Sequence, residues 1–277
     1  MTTLQRLLSA RYGAQAPQLS ENADALLNPT LTTMLEHHSV RKFLDTPVSD
    51  DHLSLIVAAA QSASTSSSLQ PWSVVVVRDP EKRARIASTC GNSRGFIEAA
   101  PIFLVWVIDF ARAGSILADA DVHTHTFDLI EHTAVGFVDV GIATENALVA
   151  AESMGLGGVY AGSLRNDIPN VAETLNLPKY VFPAVGLAIG HPDPTEGTSV
   201  KPRLPQRAVV HTDEYDPELW RESTQAYDRE FAAYYSTQGH KDARWSRTVV
   251  NRLGDPAVIG GRVHLRAHLE AQGLDSN

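Results

Sequence analysis

In extended chain, residues two positions apart point to the same side, and Ser39 and Arg41 of His37-His38-Ser39-Val40-Arg41 stand in that relation. Arginine presents a planar fork of donors that suits a phosphate or a ring carbonyl. A polar helix-to-strand loop would carry the same residues. Three further segments gather groups fit for an anionic, hydrogen-bonding ligand. Thr65-Ser66-Ser67-Ser68 runs into Leu69-Gln70-Pro71-Trp72. Serine runs are commonly flexible linkers, but hydroxyls and exposed amides at a helix end also line ligands. The stretch from Gly155 to Asp167 contains Gly157, Gly158, Tyr160, Gly162 and Ser163, and its glycines let backbone approach a flat ligand. It is no dinucleotide fingerprint, because the glycines follow a helix and lead into a strand, and Gly155 reads as a helix C-cap. Lys201-Pro202-Arg203-Leu204-Pro205 sets two cations about a stiffening proline, as a phosphate dianion requires, and an exposed charged loop looks alike.

Other candidates carry less. Cys90 is the single cysteine, which excludes an intrachain disulfide and a cysteine-rich metal site, and it reads as a buried apolar residue rather than a nucleophile. His123, His125 and His132 raise a metal-dependent hydrolase, without the H-E-x-x-H pattern that would support it. With 32 acidic against 23 basic residues, a formal charge of −9, the chain lacks the basic surface an extended nucleic acid needs. The partner expected is a small molecule. The opening MTTLQRLLSARYG has neither an apolar core nor a small-residue cleavage site, so no signal peptide is read. Asp139, Glu145 and Asn146 interrupt the most apolar stretch, 134–154, which reads as a buried helix and not a membrane span. A cytoplasmic protein is expected.

These segments need elements to position them. Residues 1–36 read as a helical extension, with Leu4, Leu7 and Leu8 on one face, Leu26, Leu27, Leu31, Met34 and Leu35 at helical spacing, and Asn28-Pro29-Thr30 breaking the two. Ser49-Asp50-Asp51 caps a helix through about Ala63, with Leu53, Ile56, Val57 and Ala60 inward. Four apolar runs read as strands: Trp72 to Arg78, Ile102 to Asp109, Gly157 to Ala161 and Val185 to Ile189. Helices are expected from about Glu81 to Thr89 and from about Phe127 to Met154. Strands this apolar, separated by helices, indicate a sheet covered on both faces in an α/β or α+β layer fold. The second helix, with Val135, Val138, Ile142, Ala143, Ala147, Val149 and Ala150, has almost no polar face. Covering it all round favours a second subunit over a central helix in a monomer. Residues 37–213 read as the core and 214–277 as a helical excursion of the same domain.

The four segments occur in the order and near the spacing of the FMN-dependent nitroreductase family. HHSVRKF, STSSSLQPW, GLGGVYAGSLRND and KPRLP, with LNLP and GLAIGHP between the last two, resemble its NADPH-preferring branch of oxygen-insensitive nitroreductases and flavin reductases. The likeness runs from about Glu36 to Gly273. It implies an α+β fold with a central mixed sheet flanked by helices, and an intertwined homodimer with FMN at the interface. His37, Ser39, Lys201 and Arg203 match positions that hold the FMN phosphate and ribityl chain; Arg41 matches the cation beside flavin N1 and O2. Thr65, Ser66, Ser67 and Gln70 match the segment contributed by the other subunit. Tyr160 is implied in the cofactor site, and Gly162 and Ser163 match the pair whose backbone lies by flavin N5. Ser163 stands where the branch usually has a second glycine. Ser93 stands where an amide side chain is usual, with Asn92 next door as a substitute.

The implied activity is ping-pong hydride transfer from NADPH through FMN to a nitroaromatic, quinone or flavin. It requires no catalytic residue of the protein, because the cofactor carries the chemistry and the protein binds, orients and tunes it. Aligned from its end through HLEAQG, Arg262 falls on the family position for the NADPH 2′-phosphate, with Arg244 to assist; both also read as solvated helix charges. The C-terminal excursion differs in length from the branch, shorter before Arg244 and longer near Asp255 to Gly260. A non-catalytic flavin-binding protein, reductive dehalogenation and flavin fragmentation are the alternatives.

Overall fold

In a computed structural model that describes residues 1–20, 22–123 and 126–274, local signals set most element boundaries. Helix α1 (Thr3–Tyr12) begins at a capping box: the Thr2 hydroxyl accepts the Gln5 amide and the Gln5 side chain accepts the Thr2 amide. It stops at Gly13, whose φ of +55° an L side chain would resist. Helix α2 (Pro29–Glu36) starts at an Asn28 cap with Pro29 in the first turn, where a missing N–H costs nothing. Asn28-Pro29 therefore opens a helix rather than separating two. Leu26, expected on a helical face, lies in a short 3-10 turn and is 71% exposed.

Helix α3 (Asp50–Gln61) is capped by Ser49 as its sequence indicates, and its Ile56 and Ala60 are fully buried. Strand β1 (Trp72–Val77) leads to α4 (Pro80–Ala87), capped by Asp79, and a short α5 (Arg94–Ala99). After β2 (Ile102–Asp109) come α6 (Ala111–Asp119), which periodicity did not reveal, and the long α7 (Ile130–Ser153). Strand β3 (Gly157–Ala161), α8 (Ile168–Leu175) and β4 (Val181–Gly190) follow. The chain then turns helical through α9 (Leu219–Thr237), α10 (Trp245–Leu253) and α11 (Leu265–Ala271).

The sheet has the order β1-β2-β4-β3 and flanking helices, the α+β architecture expected. Every pairing among the described strands is antiparallel, so the expectation of mixed pairing is corrected. Strand β2 is buried on both faces, which explains its unbroken apolar run. Leu104, Trp106 and Ile108 pack with residues of α3 and α7, while Phe103, Val105 and Val107 pack with residues of α4, α5 and α8, the period of two of a pleated strand. Strand β4 is longer than its sequence suggests because it runs through Pro183. That proline lies beyond the stretch paired with β3 and beside a bulge opposite Val107, a position that tolerates a missing donor.

Two compact units share the chain. The first comprises Met1–His38 and Thr198–Val258, with a small core of Leu4, Leu8 and Ala23 against Tyr12, Ala16, Leu27 and Leu35. The second comprises Ser39–Gly197 and Ile259–Asn277 and contains the sheet. Helix α7 is long and apolar enough to cross a membrane, yet one face, with Val140, Ala143, Ala147 and Leu148, is built into the second unit's core. On its other face Val138 is 58% exposed and Ile142 is exposed as well.

Candidate functional site

In the first unit, Lys201 and Arg203 stand on a segment whose backbone is gripped by side chains from elsewhere. Two tyrosines of α9 reach it: Tyr227 donates to the Pro202 carbonyl at 2.9 Å and Tyr234 to the Ser199 carbonyl at 3.2 Å. The ring of Tyr235 lies 5.7 Å under the Lys201 ammonium. Burial pushes the Tyr227 hydroxyl above its ordinary pKa, so it remains a donor. From α1, Arg11 donates to the Lys201 carbonyl, and the Arg203 amide donates to the Arg11 carbonyl. Pro202 and Pro205 are buried, while Lys201 is half-buried and Arg203 exposed. The two cations themselves are left open: among the described residues neither meets a carboxylate. His37, the C-cap of α2, has its carbonyl bound by Arg11 as well.

In the second unit, the segment after His38 is laid against the sheet. The Val40 amide donates to Gly158 of β3 at 3.0 Å and Phe43 bridges Pro192. Val40 and Phe43 are buried, and Ser39 and Arg41 alternate away from Val40, as extended backbone dictates. The Arg41 amide donates to both Glu196 oxygens, at 3.0 and 3.1 Å. Its guanidinium contacts only the Ser39 carbonyl, at 3.3 Å, among the described residues. The glycines of the third segment serve packing here, which corrects part of their sequence reading. A Cβ on Gly157 would stand 2.6 Å from Val40 Cγ2, and one on Gly158 would stand 2.8 Å from Leu148 Cδ1. Gly155, with φ +80°, ends α7 as a C-cap residue should.

The serine run is an ordered, strained loop. The Thr65 hydroxyl donates to Asp139 at 2.5 Å and accepts the Gln70 amide at 3.0 Å, and the Ser66 amide also donates to Asp139. Asp139, on α7, is only 2% exposed. At the other end Arg112 donates to the carbonyls of Gln70 and Trp72, at 2.8 and 2.9 Å. Held between these anchors, Ser67, Ser68 and Gln70 adopt left-handed φ values of 48°, 57° and 51°. Such conformations are disfavoured for L-residues and concentrate at functional positions.

Gly162 and Ser163 open a 3-10 turn (Gly162–Asn166) directly after β3. Ser163 Oγ is buried without an aligned hydrogen bond. The neighbouring Cys90 thiol is pushed up by burial, partly offset by that hydroxyl, and donates to the Ile86 carbonyl at 3.2 Å; it is a core residue. Arg165 donates to the Ala184 carbonyl; burial lowers its pKa and the charge of nearby Arg262 lowers it further. Both guanidinium groups are half-buried, and among the described residues Arg262 donates to the Ile259 carbonyl alone, at 3.0 Å. Arg244 caps α10 in the first unit. Tyr160 donates its hydroxyl to Glu145 at 3.1 Å, and burial raises its pKa. Ser93 precedes α5, half-buried, beside exposed Asn92.

The histidines do not form a metal centre among the described residues. His132 packs edge-on against Phe110 and Phe127, and exposed His123 lies 3.6 Å from Asp121; His125 lies outside the described residues.

A model of the nitroreductase family matches residues 34–93 and 88–191, and a model of that family's C-terminal domain matches 201–277. The chain belongs to the nitroreductase family. It is 41% identical over 250 residues to an NADPH-flavin oxidoreductase of Vibrio harveyi, covering 90% of this chain and 99% of that one. An oxygen-insensitive NADPH nitroreductase of Salmonella typhimurium is 40% identical over 249 residues, covering 89% and 98%. Among solved structures, B. megaterium NfrA2 superposes with a TM-score of 0.85 at 38% identity, covering 91% of this chain and all 100% of that one. The V. harveyi NADPH:FMN oxidoreductase complexed with NAD+ gives 0.80 at 41% identity, covering 90% and 100%.

Of the residues that hold the nitroreductase segments in place, sequence reasoning missed Arg11, Arg112, Asp139, Tyr227 and Tyr234. Asp139 did leave a sign, as a carboxylate in an otherwise apolar helix, and Tyr227 and Tyr234 sit seven residues apart on one face of α9. Arg11 and Arg112 left none.

Proposed function

We propose that this protein is an FMN-dependent NAD(P)H oxidoreductase that uses NADPH and reduces small-molecule acceptors such as nitroaromatics, quinones or flavins, acting as a cytoplasmic homodimer. The observation that carries this reading is the likeness to flavin reductases and nitroreductases at about 40% identity along nearly the whole of their length. The residues fit the cofactor. In a chain with nine more acids than bases, the cationic groups of the Arg41, Lys201 and Arg203 side chains nevertheless meet no carboxylate among the described residues. Open cations of this kind are the donor set for a phosphate and a ring carbonyl edge.

When bound, FMN supplies two-electron chemistry, taking a hydride from a nicotinamide and handing it to an acceptor. The residues bind and tune it. His37, Ser39, Lys201 and Arg203 hold the phosphate and ribityl chain. Arg41 supplies positive charge beside the pyrimidine edge, where negative charge grows on reduction, and stabilises it electrostatically. The backbone of Gly162 and Ser163 would lie by the reactive edge of the ring. Ser66, Ser67 and Gln70 would hold the partner subunit's cofactor, on a loop that Thr65 shapes by giving its hydroxyl to Asp139. Arg262, with Arg165 beside it, reads the 2′-phosphate of NADPH, because two neighbouring guanidinium groups repel until an anion joins them. The exposed side of α7, with Val138 and Ile142, supports the dimer.

The absorption spectrum of the purified protein tests the reading. Flavin bands are expected that NADPH bleaches anaerobically and a quinone or nitroaromatic restores, in a particle of dimer mass by light scattering. Flavin that binds but is not bleached at turnover rates would make it a flavin-binding protein only. A protein with no affinity for FMN overturns the reading.

A further inference from the structure

The first 33 residues lie outside both family models, yet one of them reaches the backbone of three residues at the heart of the first unit. Arg11, on the last turn of α1, is 7% exposed. Its Nη1 donates to the Lys201 carbonyl at 3.0 Å, and its Nη2 donates to the carbonyls of Leu35 and His37, at 2.9 and 3.0 Å. Its own carbonyl accepts the Arg203 amide at 2.8 Å. Helix α1 is anchored independently of these bonds: Leu4 and Leu8 pack with Ala23, Leu27 and Leu35, and the Ala14 amide donates to Glu230 of α9.

We propose that Arg11 is a positioning residue for phosphate binding, and that the N-terminal segment carrying it is part of the cofactor-binding apparatus rather than an appendage. The inference rests on the assignment of His37, Lys201 and Arg203 to the FMN phosphate. A planar guanidinium donates in two directions from one rigid group, so it fixes the separation of the chains it bridges. Here one fork ties the exit of α2, where His37 stands, to the Lys201–Arg203 segment. Toward those residues it donates to backbone carbonyls, and it leaves the side chains of Lys201 and Arg203 open. A phosphate held by several charges needs them at set distances, since affinity depends on groups ordered before the ligand arrives. Without Arg11, the same cations remain but their spacing must be set as the ligand binds.

The test is to titrate the full-length, flavin-freed protein with FMN and with riboflavin, which lacks the phosphate, following flavin fluorescence. In Arg11→Ala the dissociation constant for FMN should rise about tenfold or more while that for riboflavin moves less than about twofold. Arg11→Lys, which keeps the charge but not the planar fork, should fall between. Equal weakening of FMN and riboflavin would overturn the proposal, because it would mark a general structural role. So would an unchanged FMN affinity in Arg11→Ala while Lys201→Ala and Arg203→Ala weaken it. If those two variants bind FMN normally, the phosphate assignment itself fails and takes this inference with it. Should Arg11→Ala not fold, Arg11→Gln carries the same comparison with two donors retained.

Discussion

The Lys201–Arg203 segment and the Thr65–Gln70 loop, both proposed to face the cofactor, are held in opposite ways. The first is gripped from outside: Arg11, Tyr227 and Tyr234 bind its carbonyls, and its cationic side chains stay open. The second is gripped through its own donors, since the Thr65 hydroxyl and the Ser66 amide both go to a buried carboxylate. The consequence is a division of risk. The charge of Arg203 in the first segment is exposed and contributes little to stability, so its loss should register in binding. In the second, the anchor is a buried charge whose hydrogen bonds also restrain left-handed backbone, so its loss should register in folding.

The largest expected effect breaks the second grip. Asp139→Ala should lower unfolding free energy by about 3 kcal/mol, the scale of charge-assisted hydrogen bonds in a buried place, measured by urea denaturation. If it unfolds as easily as the wild type, the loop does not depend on its carboxylate and the contrast collapses. Next comes Arg203→Ala, which should weaken FMN by about ten- to a hundredfold with the denaturation midpoint unchanged. A stability loss matching that of Asp139→Ala would show that both segments are held alike.

Arg262→Ala sharpens the comparison by adding a second cationic place, in the unit that holds the sheet. Its KM for NADPH should rise about tenfold and that for NADH should barely move. Equal losses with both would remove the 2′-phosphate from its role. The smallest effect concerns the loop beside Arg41. Hydrogen bonds from Thr195, then Lys42 at 3.0 Å, pull the half-buried Asp193 carboxyl down to about 2. A depressed carboxyl contributes stability above its unfolded pKa, near 3.9, and loses that contribution as pH falls towards 2. The melting temperature of Asp193→Asn should therefore lie slightly below wild type at pH 6 and meet it near pH 2. A gap that persists at pH 2 would mean the bonds, not the charge, are responsible.

Much of the fold was legible because it is written in neighbours. The cap at Ser49 and the apolar run of β2, buried on both faces, follow from adjacent residues and short periods. So does the stop of α7 at Gly155. The segments that carry the candidate site were legible for a related reason: hydroxyls, glycines and cations cluster there within a few positions. Two elements were misread at the same local level. Leu26 and Leu27 have helical spacing to Leu31 but precede a cap, and β4 runs through a proline that sequence alone takes as a boundary.

What sequence determined by itself, then, is the strands, the capped α3 and the long α7, and the chemical character of the segments assigned to the candidate site. Tertiary structure alone decided how those segments are held. Arg11 meets Lys201 across 190 positions and Thr65 meets Asp139 across 74, separations that leave no periodic trace. Space acts the same way: Gly157 is required by Val40, a residue brought beside it only when the chain pairs with β3. A long side chain can satisfy any carbonyl within reach. Which carbonyl that is depends on how the backbones pack, and the left-handed turn at Ser67 and Ser68 exists only because anchors distant in sequence hold both ends of its loop.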